Sequence, residues 1–401
     1  MDVKDKLLKL KNYCEAEDFR GWDPYDGLNS KVFKAMPFVG RSAIARLVWI
    51  QLFKRNPLNL RGLLMVPKQR NAKGIGLFLR GYCALWRAVN NDESLQEVYG
   101  DKSEIESRIK ELADWLVDND SKGFAGAAWG YNFPWQCRRE FLFPSYEPTV
   151  VATYFCAGGL FDAYEITGDE RYERVALSAA DFVKHDLRRT PYGDGIIISY
   201  SKMPGNDTIF NASLLGSALL ARCYSYSKDD ESRNLARQSV VACCEAQGVD
   251  GSWKYGVKSV TGWIDSFHTG YNLMALEEYM RYTGDRSPES AVEKGWLYYK
   301  DRFFLKDGSP KYYHNRQYPI DIHCVGQLFV TMIALGRYGE DRNLAESVMS
   351  WASANMWDRR GFYYYQLKQG ISSKISYMRW SNAFMFAALS LVVECESKSN
   401  K

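Results

Sequence analysis

Nowhere in the 401 residues does an apolar run approach the length of about 18 that a membrane-crossing helix needs, so none is expected. The opening Met1-Asp2-Val3-Lys4-Asp5-Lys6 lacks the apolar core of a secretory signal, and the expected location is the cytoplasm. The nine cysteines are odd in number, form no C-x-x-C and lie mostly within helical patterns. That usage excludes a disulfide frame and points to reduced thiols. Neither sign of charge dominates: 52 basic residues stand against 48 acidic, a net +4. A nucleic-acid binder would carry a clustered basic stripe, so no such partner is expected. Histidine is scarce, at four, and His323-Cys324 lacks the second cysteine of a two-Cys, one-His zinc site. No metal and no cofactor are expected. No long Pro/Ser-rich linker divides the chain, so residues 1–401 read as a single domain.

Aromatic residues are abundant: 27 Tyr, 20 Phe and 12 Trp, many of them in polar segments. They recur within a repeat. Five segments share one plan, in which a polar, aromatic stretch leads into an apolar helix, then a short turn, then an amphipathic helix. The apolar helices begin near residues 147, 210, 267, 321 and 380, at intervals of 63, 57, 54 and 59. They are apolar on most faces over 150–164, 212–224 and 329–335, and a helix apolar all round is buried. Their partners, 170–183, 231–246, 289–299 and 343–356, alternate charged and apolar residues at helical spacing, so one side of each is buried. Thr167-Gly168-Asp169 and Thr283-Gly284-Asp285 end one helix and cap the next. An earlier pair fits over 74–89 and 103–117.

Buried helix, tight turn, amphipathic helix, repeated, predicts an all-α fold, an (α/α)6 toroid of helical hairpins. The helix from Ser381 lacks an outer partner, and either 4–13 or 42–54 would close the ring with it. The alternative is an open solenoid. The return connections are long and resemble one another, as Asp250-Gly251-Ser252-Trp253 and Asp307-Gly308-Ser309-Pro310 do. A Gly turn followed by aromatic or β-branched residues, as at 195–200 and 361–365, predicts short β-hairpins at one end of the barrel.

Inner helices of such a ring run parallel, so their N-termini and the long loops meet at one end. Long loops in a compact repeat are usually functional. Candidate catalytic residues there are Glu147, Asp265, His268, Tyr271 and Asp321. Candidate binding residues are Arg379, His323, Trp380, Asn382, Asn211, Tyr364 and Tyr377, with Trp129, Tyr131 and Trp135 from the longest loop. Asn211 and Asn382 also sit where helix caps sit, and each aromatic loop could serve only to tie hairpins together. Aromatic faces interleaved with Asn, Asp and Arg suit a sugar, whose C–H face stacks and whose hydroxyls take directed hydrogen bonds. Helix N-termini add a positive field that favours a carboxylate. The expected partner is therefore an oligo- or polysaccharide, with uronic acids a natural component.

Gln247-Gly248-Val249-Asp250-Gly251-Ser252-Trp253 resembles the QW motif of squalene–hopene cyclases, which are α-toroids. The likeness implies that Gln247 and Trp253 tie helices together. No D-x-D-D is present, which argues against cyclisation. Trp263-Ile264-Asp265-Ser266-Phe267-His268-Thr269-Gly270-Tyr271-Asn272 is similar to the segment entering an inner helix in the toroid domain of glucuronyl C5-epimerases, with Tyr271 where a second His would fall. The stretch from Trp22 to Asn29 resembles uncharacterised proteins of polysaccharide-biosynthesis clusters. These resemblances imply uronate C5-epimerase or lyase-like chemistry, with Tyr271, Tyr364, Tyr377 or Glu147 as acid or base and Arg379 on the carboxylate. Two alternatives stay open: a glycoside hydrolase using a pair among Glu147, Asp207, Asp265 and Asp321, and a non-catalytic glycan-binding or assembly protein.

Overall fold

The computed structural model describes residues 3–137 and 141–398. Helix α1 (Val3–Ala16) precedes an arm of α2 (Lys31–Lys34), α3 (Pro37–Arg41) and α4 (Ala43–Arg55). The repeat then begins. Inner α5 (Ala72–Asn91) leads through the single turn α6 (Gln96–Tyr99) to outer α7 (Lys102–Asp118). The next pairs are α8 (Val150–Thr167) with α9 (Glu170–Asp181), α10 (Phe210–Ser227) with α11 (Asp230–Glu245), α12 (Ser266–Thr283) with α13 (Glu289–Phe303), and α14 (Ile322–Ala334) with α15 (Arg342–Asn355). A sixth inner helix, α16 (Phe384–Lys398), is entered through a π-helical turn at Met378–Ala383.

Each inner helix packs on the next, and α16 packs back on α5, so the ring is closed. Helix α1 lies outside α16, as the other outer helices lie outside their partners. Helix α4, the other sequence candidate for that place, belongs to the arm instead. The pattern explains the layers. In α8 every residue from Val150 to Ala163 is buried. In α7 only the stripe Ile105, Ile109, Leu112, Ala113 and Leu116 is. Small residues let the inner helices approach: a Cβ on Gly76 of α5 would lie 2.8 Å from the Phe155 carbonyl oxygen of α8.

Side-chain caps set the helix starts. Asp101 and Glu104 form a reciprocal capping box on α7. Asn71, Thr149, Asp265 and Asp321 accept N–H bonds at the starts of inner helices α5, α8, α12 and α14. Gly168 and Gly284 end α8 and α12 in the left-handed region, and Lys228 holds that position after α10 at φ 58°.

Four two-stranded antiparallel ladders decorate the loops among the described residues: β1 (Trp135–Cys137) with β2 (Phe141–Phe143), β3 (Arg189–Tyr192) with β4 (Gly195–Ile198), β5 (Ile320–Asp321) with β8 (Gln366–Leu367), and β6 (Trp357–Asp358) with β7 (Phe362–Tyr363). The two Asp-Gly-Ser loops form tight turns. There Asp250 and Asp307 accept the N–H groups of Ser252 and Ser309, so those donors are not free for a ladder.

The C-terminal halves of the inner helices enclose charge. Arg222 of α10 donates to Asp162 of α8 at 2.7 Å, Arg80 of α5 lies 3.4 Å from Asp162 and 3.5 Å from Glu278 of α12, and the Tyr154 hydroxyl donates to Glu278 at 2.6 Å. Three cationic side chains therefore hold Asp162 below the usual carboxylate range although it is buried, Arg222 and Arg80 acting more strongly than Arg87.

Candidate functional site

The opposite end of the ring, where inner-helix N-termini gather, opens into a cavity of about 940 Å³. Its floor comes from the first turns of inner helices: Lys73 of α5, Val151 of α8, Asn211 of α10, Phe267, His268 and Tyr271 of α12, and His323 of α14. Its walls come from the long loops, with Tyr131, Trp135, Tyr255, Trp263, Tyr312 and Trp380 among them. Helix α4 of the arm lies across the rim and contributes Leu47, Ile50, Gln51, Lys54 and Arg55.

Two hydrogen-bonded groups stand in the floor. His268 lines the cavity, and its Nδ1 lies 2.7 Å from Asp265 Oδ2, so Nε2 is the ring nitrogen left for proton transfer. Asp265 is wholly committed. Its Oδ2 also accepts from Trp263 Nε1 at 2.8 Å and its Oδ1 from the His268 backbone N–H at 3.1 Å. The second group is a chain: Lys73 Nζ donates to the Tyr271 hydroxyl at 3.3 Å, and that hydroxyl lies 2.9 Å from His323 Nε2. If Tyr271 donates onward, His323 carries its proton on Nδ1, which is buried with no partner among the described residues. Burial, then repulsion by Arg379, drives the Lys73 amine well below its ordinary value. Burial, then Lys73 and Arg379, does the same to His323, while burial raises the Tyr271 phenol. Burial thus disfavours the charged form of all three. The rings of His268 and Tyr271, one helical turn apart on α12, have centroids 6.0 Å apart.

Eight of the sequence candidates line this one cavity: His268, Tyr271, Arg379, His323, Trp380, Asn211, Tyr131 and Trp135. Seven do not. Asp265 and Asp321 sit directly behind the lining. Asp321, fully buried, accepts from Trp380 Nε1 at 3.0 Å, from Gln366 Nε2 at 3.2 Å and from the His323 N–H at 3.0 Å. Burial raises its carboxyl to about 6. Trp129 is buried and donates to the Leu116 carbonyl at 3.0 Å. Tyr377 stacks under the buried Arg61, which also donates to Asp26 at 2.7 Å. Asn382 bonds to Ser376 Oγ and accepts the Tyr363 N–H. Glu147 is half-buried beside Lys202 and Asp186, its carboxyl raised by burial, and Tyr364 lies beside Phe362 and Lys374.

Arg379 lines the cavity, but its Nε donates to Asp23 Oδ2 at 2.6 Å, so its charge is already balanced. Four lining cations have no carboxylate partner among the described residues: Lys54, Arg55, Arg316 and Lys368. Burial, then Lys54 and Arg55, lowers the Lys368 amine. No Asp or Glu lines the cavity among the described residues.

Sequence reasoning missed Lys73 and these four cations. The signal for Lys73 was a lone charge in the first turn of an inner helix, at the end where the candidate residues gather. The four cations had none, because arm and loop lysines and arginines look like ordinary surface residues. Gln247 and Trp253, read as ties, join outer helices. Gln247 Nε2 donates to the Ala291 carbonyl of α13 at 2.9 Å, and Trp253, buried, donates to the Cys243 carbonyl of α11 at 2.8 Å while its ring lies on Gly295.

No family model matches the sequence, and no curated protein sequence matches it. Solved structures do. The chain superposes on an unsaturated glucuronyl hydrolase specific for heparin with a TM-score of 0.60 and 12% identity, covering 99% of this chain and 96% of that one. A cellobiose 2-epimerase from Bacillus thermoamylovorans gives 0.58 and 13%, covering 81% and 90%. A glycoside hydrolase family 76 mannosidase from Bacteroides thetaiotaomicron gives 0.58 and 11%, covering all of both chains. The likeness establishes the α/α toroid fold, which all three carbohydrate-active enzymes share.

Proposed function

We propose that this protein is a carbohydrate-active enzyme that moves a proton at a carbon of an acidic sugar, by epimerase or lyase-like chemistry. The observation that carries this reading is the composition of the cavity. Histidine, tyrosine and a buried lysine converge on its floor, and no carboxylate lines it among the described residues. Hydrolysis by a carboxylate pair needs two acids flanking one bond. Asp23, Asp265 and Asp321, the acids bonded to lining residues, are occupied by buried donors.

In this reading His268 Nε2 removes the proton α to a uronate carboxylate, and Asp265 stabilises the resulting imidazolium through Nδ1. The enolate charge that develops meets the inner-helix N-termini and the unpaired cations Lys54, Arg55, Arg316 and Lys368. The Tyr271 hydroxyl is the acid: it gives its proton to the substrate and is reprotonated from solvent in the cavity, while Lys73 and His323 hold the hydroxyl in place. Return of the proton to the other face of the carbon inverts it, whereas departure of the neighbouring substituent completes an elimination. Stacking surface comes from Tyr255 and Trp263, parallel at 4.4 Å, and from Trp135.

Both outcomes begin with removal of the same C–H proton. The test is incubation with uronate-containing oligosaccharides in deuterium oxide, followed by mass spectrometry and proton NMR. Deuterium at C5 from inversion, or a C4–C5 double bond from elimination, either one abolished in His268→Ala, is the expected result. Release of reducing ends with neither deuterium at C5 nor a C4–C5 double bond would overturn the reading in favour of hydrolysis. Exchange in neutral disaccharides equal to that in uronates would remove the acidic-sugar assignment.

A further inference from the structure

The arm carries an unusual surface. Of the sixteen large apolar side chains exposed among the described residues, eight fall between residues 38 and 65. Phe38 is 80% exposed and Leu63 77%. On α4, Ile44, Val48 and Leu52 recur every fourth residue, so they form one outward stripe, while Ile50 and Phe53 face inward. The inward side packs on a small cluster of its own, Leu28, Phe33 and Ile50, apart from the ring's core. An amphipathic helix with its apolar face turned out requires a cover.

Charge identifies the cover. From residue 27 to residue 91 the sequence contains no Asp or Glu. Lys31 and Lys34 of α2 and Arg41 of α3 are exposed and have no carboxylate partner among the described residues, Lys34 donating only to the Asn29 amide oxygen. Arg41 lies over the Phe38 ring, 5.5 Å from its centre. Apolar side chains protruding through a rim of cations match a surface that is apolar beneath and anionic at its face. A second copy of this chain would set those cations against one another.

We infer that the arm docks on an anionic lipid bilayer, with Phe38, Ile44, Val48 and Leu63 entering the headgroup boundary and Lys31, Lys34 and Arg41 meeting lipid phosphates. The chain rests on the surface and does not cross it, since no helix among the described residues is long and apolar enough to span. Docking also orients the molecule. Helix α4 forms part of the cavity rim, so the mouth opens beside the bilayer, where a glycan still attached to a lipid would be presented. The docking surface stands independently of the reaction proposed above.

The experiment is co-sedimentation of the full-length protein with vesicles of pure phosphatidylcholine or of phosphatidylcholine with 30 mol% phosphatidylglycerol, with light scattering on the protein alone. Binding is expected only to the anionic vesicles and should weaken with salt. Phe38→Ser with Leu63→Ser should abolish it at an unchanged melting temperature, since both side chains are exposed. Lys34→Ala and Arg41→Ala should each weaken it roughly fivefold. Absence of binding to either vesicle would overturn the inference. So would a wild-type dimer that Phe38→Ser with Leu63→Ser converts to a monomer without changing sedimentation, because the patch would then be a contact between copies.

Discussion

In Lys73→Met the side-chain stem keeps its volume and the amine becomes a thioether methyl. Lys73 is buried, makes one long hydrogen bond at 3.3 Å to Tyr271 and has no carboxylate partner among the described residues. Burying an amine with so little compensation costs about 1–3 kcal/mol. Its position over the rings of Phe155 and Phe384, at 4.5 and 4.9 Å, offsets part of that whenever it is charged. A volume-conserving exchange adds little strain. A net gain of about 1–2 kcal/mol is therefore expected. With about 2.1 cal/mol/K of unfolding entropy per residue, this chain gains roughly 1 °C for each kcal/mol, so Tm should rise by roughly 1–3 °C. The sign with pH follows from linkage. The folded state holds the amine below its ordinary value, so between that lowered value and the unfolded value of 10.5 the unfolded chain binds more protons. Wild-type stability therefore rises with pH across that window, and the advantage of Lys73→Met shrinks. Calorimetry of both proteins at pH 6 and pH 9 measures this. A variant less stable than wild type at pH 6, or an advantage that grows with pH, would refute the argument. The same variant should lose C–H exchange about 10²-fold if Tyr271 depends on this amine.

Asp265→Asn keeps the cap on His268 but turns an amide N–H toward Trp263 Nε1 or His268 Nδ1, so exchange should fall about 10²–10⁴-fold, read by deuterium incorporation. Trp253→Ala removes a buried ring between α11 and α13 and should cost about 3–5 kcal/mol in a denaturation titration, with ligand affinity unchanged for the fraction that is folded. Lys228→Gly relieves a left-handed residue where the equivalent turns carry Gly168 and Gly284, and should raise stability by about 0.5–1 kcal/mol.

The ring was legible because its information is local. Apolar runs, Gly-Asp turns and polar starts each mark one helix end, and Phe210 and Ile322 begin helices within a residue of where the pattern puts them. The site was legible as a place, since parallel inner helices must bring their first residues together. Its roles were less so, because one residue type serves two ends. Asp265 and Asp321 read as catalytic acids, yet both reach back to N–H groups of their own helix starts, and so short a side chain cannot also enter the cavity. Asn211 read equally as a cap, yet it makes none, and its Oδ1 has no partner among the described residues while the side chain lines the cavity. Helix α4 shows a limit of another kind. Its pattern is that of any amphipathic helix, and nothing in spacing tells whether the partner is the outside of a ring or the rim of its mouth.

Closure of the ring through α5 and α16 bears on how the chain is made. These two inner helices pack along much of their length, and Gly81 of α5 admits Phe386 and Ala387 of α16 at contact distance. Roughly 300 residues separate them, so at about 5–20 residues per second the ribosome needs roughly 15–60 s to deliver the second after the first. For that interval the nascent arc has an uncovered apolar edge along α5, and the cavity lining lacks the Arg379 and Trp380 that precede α16. Only the last inner helix converts an open, aggregation-prone arc into an edgeless object, which makes chaperone demand a property of this topology.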